Sequence, residues 1–170
     1  DAALISNRLM WKYSGHESGF SDPLVECKKC GARMRLDKMK DSKKCDNCKS
    51  SDLTPPREYQ LMMGLSVGAI AGGEINAYLR PETATTTFTN FKNVIDAIPH
   101  KLPFGIVQIG KAFRNEISPR GFVFRMREFE QAEMQYFIKP GTDSDWWEKW
   151  KKIRMDWWIN ELGIPAETLR

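Results

Sequence analysis

Apolar and polar residues alternate along GIVQIGKAFRNE (105–116) and again along FVFRMREFEQAEMQYFIKP (122–140). A period of two predicts a pair of β-strands, and SPRG (118–121) between them supplies turn chemistry. On the second strand Arg125, Arg127, Phe129, Gln131, Glu133 and Gln135 are predicted to share one face. Met126, Ala132, Met134 and Tyr136 mostly take the other, predicted to be a buried apolar backing. The period changes to that of a helix elsewhere. Trp146, Trp150, Ile153 and Trp157 form a stripe over 142–162, with Thr142, Asp143 and Ser144 as candidate caps and Gly163 and Pro165 as the stop. Phe88, Phe91, Val94 and Ile95 predict a helix over 83–97. A short helix carrying Leu4, Ile5, Leu9 and Met10 is expected over 1–12, followed by a polar glycine-rich loop over 13–23. Residues 59–80 read as strand-like or mixed segments.

Composition narrows the class without deciding it. The chain has 170 residues, 41% hydrophobic and 28% charged, as in an ordinary globular protein with one sizeable core and a small appendage. No apolar run reaches the length of a membrane span, and no secretory signal opens the sequence, so a cytoplasmic protein is expected. The net charge of +4 permits nucleic-acid contact but does not argue for it.

From about Leu24 to Leu53 the chain turns basic and holds all four cysteines; TPPRE (54–58) closes that section like a linker. Cys27 and Cys30 form one C-x2-C pair and Cys45 and Cys48 the other, with residues 31–44 between them. Two such knuckles can aim four thiolates at one Zn2+, in a closed structural site without an open position for substrate. The separation is just short of the usual range for double pairs. Disulfides are the competing explanation, disfavoured for a chain of cytosolic character.

The strand pair carries cations, an aromatic ring and carboxylates in a set order. Forked arginines suit phosphate oxygens, Phe129 offers a stacking plane, and Glu133 can take an ammonium. One by one, the same residues also suit cross-strand ion pairs, ordinary core, or, for Glu82, the cap of the helix that follows. The order of the blocks favours a site. AFRNE followed by RMREF resembles motif 2 of the class II aminoacyl-tRNA synthetases: Phe-Arg-x-Glu, a loop, then Arg-x-x-x-Phe. LRPETA (79–84), NFKNVIDA (90–97), QIGKAFRNEISPRGF (108–122) and REFEQAEMQYF (127–137) resemble the glycyl-tRNA synthetases whose catalytic domain lies on a single chain. The likeness runs from SGHESGFSDPLVECKKC to GIPAETLR.

That resemblance implies an α+β fold: the class II antiparallel sheet with flanking helices and a small zinc-ribbon insertion. Residues 1–23 and 54–170 are then part of the catalytic domain and 24–53 the insertion. It implies ATP-dependent activation of glycine to glycyl-adenylate and transfer to the 3′ end of tRNA(Gly), with Mg2+ bridging the phosphates. Arg114 is implied as the catalytic residue, contacting the α-phosphate and the glycine carboxylate. Glu116 is placed near the adenine amino group, Arg125 on the terminal phosphates, Phe129 stacked on adenine, and Glu82 and Glu133 on the glycine ammonium. Motif 1, motif 3 and an anticodon domain are not visible, which implies a fragment of a longer, typically homodimeric synthetase. Where the family continues Gln-Gly-Ile-Phe, this chain has Thr85, Thr86, Thr87 and Phe88. The alternatives are a class II synthetase for another small amino acid, or a synthetase-like module that binds tRNA or protein without ligase activity.

Overall fold

The structure is a computed structural model and describes residues 1–169. It is a mixed helix and antiparallel-sheet architecture. Two compact units divide it: one holds Asp1–Phe91 and Val107–Glu133, the other Lys92–Ile106 and the residues from Met134 onward.

In the first unit, strand β1 (Ile5–Asn7) is followed by helices α1 (Arg8–Tyr13) and α2 (His16–Gly19) and strand β2 (Ser21–Glu26). Strands β3 (Arg33–Arg35), β4 (Arg57–Gln60), β5 (Met63–Val67) and β6 (Ile75–Leu79) complete two antiparallel sheets, ordered β1-β6-β5 and β3-β2-β4. Register is tight: Ile5 faces Leu79, Leu24 faces Arg35 and Asp22 faces Tyr59. Helix α3 (Ala84–Ala97) follows, one residue inside its predicted start.

Two expectations for this unit are corrected. The helix predicted over 1–12 begins only at Arg8, because Asn7 caps it by accepting the Leu9 N–H at 2.9 Å and Ile5–Asn7 pair with β6. Leu4, Ile5 and Leu9 stay exposed; the buried anchor is Trp11, whose ring meets His16 edge-on at 5.2 Å. The predicted 13–23 loop contains α2 and the start of β2. Gly15, at φ +81°, makes the turn, and Glu17 is held by Arg8 at 2.5 Å and by the Tyr78 hydroxyl at 3.0 Å. Local polarity concealed an element that long-range polar contacts hold in place.

Strands β7 (Phe104–Phe113) and β8 (Glu128–Phe137) pair with each other and run through both units. The pair is as predicted, but its faces are reversed in burial. Gln108 and Ala112 are buried and Phe129, Gln131 and Glu133 half-buried, while Val107, Ile109, Ala132 and Met134 are exposed. A period of two says which side chains share a face, not which face is covered. Thr83 and Thr86, from the segment before α3 and its first turn, give Glu133 and Gln108 on that face their hydrogen-bond partners, while Gln131 Oε1 stays buried without one. Arg125 and Arg127 also fall short of β8: residues 122–124 form a 3-10 turn under Gly121 (φ +72°) before the strand begins at Glu128.

In the second unit, helix α4 (Asp143–Asp156) continues as a single π-helical turn to Glu161 and stops at Gly163, φ +66°. The tryptophan stripe docks by its first half. Tyr136 packs against Trp146 at 5.0 Å and Trp150 at 5.2 Å, whereas Ile153 and Trp157 stay 42% and 37% exposed. His100, Phe104 and Phe137 stack in series at 5.0 and 5.4 Å. Among the described residues no helix is long and apolar enough to cross a membrane.

Candidate active site and cysteine cluster

The site forms around the segment joining β6 to α3. Arg80 is fully buried, and burial lowers its pKa. Its guanidinium donates to the Lys111 carbonyl at 2.7 Å, the Ala2 carbonyl at 3.0 Å and Asp1 Oδ1 at 3.1 Å. The guanidinium passes so close under β7 that a Cβ on Gly110 would stand 2.5 Å from Arg80 Nη2, so a side chain there would displace the buried guanidinium. The Phe113 N–H donates to the Arg80 carbonyl at 2.8 Å, and the Asn115 N–H to Leu61 at 2.7 Å. The end of β7 is thereby fixed against β6 and the residues after β4.

Pro81, Glu82 and Thr83 follow directly, and this short segment touches both halves of the site. Arg114 Nε donates to the Pro81 carbonyl at 3.1 Å. The Arg114 guanidinium lies between two rings, 5.1 Å from the Phe129 centroid and 5.5 Å from that of Phe20. Phe20 was not singled out in the sequence; its only local signal is an aromatic residue inside a polar stretch. At the other end the Thr83 hydroxyl donates to Glu133 Oε2 at 2.5 Å. Glu82 lies between these contacts as the cap of α3, its two oxygens accepting the N–H groups of Ala84 at 2.8 Å and Thr85 at 2.9 Å. Each oxygen keeps a further lone pair for a ligand.

Glu116 and Arg125 meet in the turn between the strands, Arg125 Nε 3.6 Å from Glu116 Oε2. Arg127 donates to the Glu116 carbonyl at 3.1 Å, and the Arg114 N–H to the Arg127 carbonyl at 2.9 Å. Arg114, Phe129, Glu82 and Glu133 thus share the Pro81–Thr83 segment or the covered face of β8, with Glu116 and Arg125 paired at the turn. A cation, a ring and two carboxylates in this order can neutralise an anion, stack a flat base and hold an ammonium.

The four cysteines converge separately. Cys27, Cys30, Cys45 and Cys48 place their sulfurs all within 4.8 Å of one another, with Cys27–Cys48 at 3.5 Å and Cys30–Cys45 at 3.6 Å. Those separations exceed a disulfide bond of about 2.05 Å. They approach the ~3.8 Å edge of a tetrahedron with metal–sulfur bonds of about 2.3 Å. The two knuckles repeat each other. The Cys27 N–H donates to Ala32 O and the Gly31 N–H to Cys27 O; likewise the Cys45 N–H donates to Ser50 O and the Lys49 N–H to Cys45 O. Gly31 (φ +69°) and Lys49 (φ +63°) turn each chain away at the same point. The Ala32 backbone amide pulls the Cys30 thiol down to about 6. Cys48 is pushed up to about 11: the Ser50 amide favours its thiolate, but desolvation and the neighbouring sulfurs outweigh it. The cluster can hold one tetrahedral metal ion.

The residues around Arg114 follow the motif 2 pattern of the class II aminoacyl-tRNA synthetases, and comparison with known proteins shows that class. Residues 71–170 match the tRNA synthetase class II core domain (G, H, P, S and T), and the chain belongs to that family. Its relatives narrow the match. The glycine–tRNA ligase of Borreliella afzelii is 46% identical over 171 residues, covering 100% of this chain and 38% of the relative. That of Treponema denticola is 47% identical over 174 residues with the same coverage, and that of Deinococcus radiodurans 39% over 212 residues, covering 99% of this chain and 42% of the relative. The chain therefore spans about two fifths of the length of these curated relatives.

Proposed function

We propose that this chain is part of the catalytic domain of a glycine–tRNA ligase, which activates glycine with ATP and transfers it to tRNA(Gly). The observation that carries the reading is the Pro81–Thr83 segment, tied to Arg114 at one end and to Glu133 at the other. Arg114, braced by two rings and a carbonyl, meets the α-phosphate and the glycine carboxylate and stabilises the charge that builds as that carboxylate attacks phosphorus. Such chemistry depends on positioning and charge neutralisation, so no protein nucleophile is required. Phe129 stacks on adenine, Glu116 approaches its amino group, and Arg125 exchanges its Glu116 contact for the terminal phosphates. Four steps of strand rise separate Phe129 from Glu133, about 13 Å, the reach of an adenylate laid along β8. Glu133 and the spare lone pairs of Glu82 take the ammonium. Mg2+ supplies further neutralisation of the phosphates when bound.

In this reading residues 24–53 are a zinc-ribbon insertion in a catalytic domain formed by 1–23 and 54–170, and Cys27, Cys30, Cys45 and Cys48 hold one structural Zn2+. The whole protein works in the cytoplasm as a homodimer. The relatives' names favour glycine over another small amino acid and ligase over a non-catalytic module. Charging of tRNA(Gly) transcript with labelled glycine by the full-length protein tests the proposal. Glycyl-tRNA should accumulate only when ATP is present, and its absence with correctly folded protein would contradict it.

A further inference from the structure

Resting on the functional reading above, we infer that Gln108 and Thr86 are positioning residues for the amino-acid site, acting on Glu133 through Thr83. Gln108 is 6% exposed, Thr86 2% and Thr83 0%, so a buried polar chain stands where apolar side chains would ordinarily pack. Every proton in it has a direction. The Gln108 side-chain nitrogen donates to Thr86 Oγ1 at 2.6 Å and to the Thr83 carbonyl at 3.2 Å, which uses both amide hydrogens. Thr86 Oγ1, accepting from Gln108, donates its own proton to the Thr83 carbonyl at 2.8 Å. Thr87 adds its hydroxyl to that carbonyl at 3.2 Å.

The Thr83 carbonyl is thus held from two elements, α3 and β7, and cannot rotate without breaking several buried bonds. Fixing the carbonyl fixes the residue, and the Thr83 hydroxyl points to Glu133 Oε2 on β8. One carboxylate oxygen is committed to Thr83, so Oε1 is the principal acceptor left for an ammonium. Neither Gln108 nor Thr86 contacts Glu133 in this network. Their part is to set the angle at which its carboxylate meets the substrate. A purely structural role, closing the first turn of α3, would leave glycine and ATP affinities equally affected. A positioning role acts on glycine alone.

The test uses the full-length protein and glycine-dependent pyrophosphate exchange. Gln108→Met keeps the volume and removes the donor, Thr86→Val removes only the hydroxyl, and Thr86→Ser restores it. Loss of a buried hydrogen bond at this level should raise the glycine KM about tenfold in Gln108→Met and Thr86→Val, with the ATP KM within about twofold and Thr86→Ser close to wild type. Unchanged glycine KM in both variants, or glycine and ATP KM rising together, overturns the inference. If Gln108→Met does not fold, the Thr86→Val and Thr86→Ser pair decides alone. Crystal structures of the variants separate this inference from the functional reading. If wild-type protein shows no exchange with glycine, the functional reading fails. The relay then stands or falls on whether Glu133 leaves the Thr83 hydroxyl in Thr86→Val; a carboxylate that stays in place overturns it.

Discussion

Glu82 has two possible duties, and Glu82→Ala separates them. Its carboxylate caps α3 through the Ala84 and Thr85 N–H groups at 2.8 and 2.9 Å, and the functional reading also gives it a share of the glycine ammonium. Loss of a helix N-cap costs about 1 kcal/mol. In a chain of this size that lowers the melting temperature by roughly 2–4 °C. Loss of one charge-assisted hydrogen bond to the ammonium costs about 1.5–3 kcal/mol, or about 10- to 150-fold in glycine affinity. In the proposed reading ATP lies along β8 on the Arg114–Phe129 side, so it should bind within about twofold of wild type, since Glu82 makes no part of that contact. Differential scanning fluorimetry gives the first number, and pyrophosphate exchange at varied glycine and ATP gives the others. A fall in melting temperature with unchanged glycine KM would show that Glu82 only caps α3, and the ammonium would then rest on Glu133 alone.

Other variants test separate parts of the account. Arg114→Ala should abolish adenylate formation, whereas Phe129→Ala should mainly weaken ATP binding; wild-type exchange in both would rule out the assignment. Phe20→Ala removes one of the two rings that hold Arg114 and should lower the exchange rate without changing metal content, a result checked by parallel kinetics and elemental analysis. Purified protein should contain about one zinc per chain, lost in the Cys27→Ser, Cys45→Ser double variant together with the protection of residues 24–53 from protease. Metal-free protein carrying two disulfides would contradict that expectation.

Much of this architecture could be read from residue order, and the misses share a cause. The β7–β8 pair, α3 and α4 announced themselves because periodicity and turn residues are local properties. The cysteine knuckles did so because spacing alone brings two thiolates together. The N-terminal segment did not, because Asn7 pairing with Ala77 and Glu17 pairing with Arg8 and Tyr78 are contacts that no local pattern encodes. Partial burial of the polar faces of β7 and β8 was missed for the same reason: Thr86 and Thr83, far away in sequence, partner Gln108 and Glu133 there. Phe20 joins the site from 94 positions before Arg114, beyond any window of periodicity.

The most direct test of the central claim is pyrophosphate exchange by the full-length protein with glycine, alanine and serine in turn. The proposed glycine site, in which Glu82 and Glu133 take the ammonium, predicts exchange with glycine and little with the others. A site can reject a larger amino acid by steric exclusion, whereas one that lacks a methyl loses only about 1–3 kcal/mol of contact. Exchange with glycine at least tenfold above alanine and serine is the predicted result; equal exchange with alanine or serine, or none with glycine, contradicts the account.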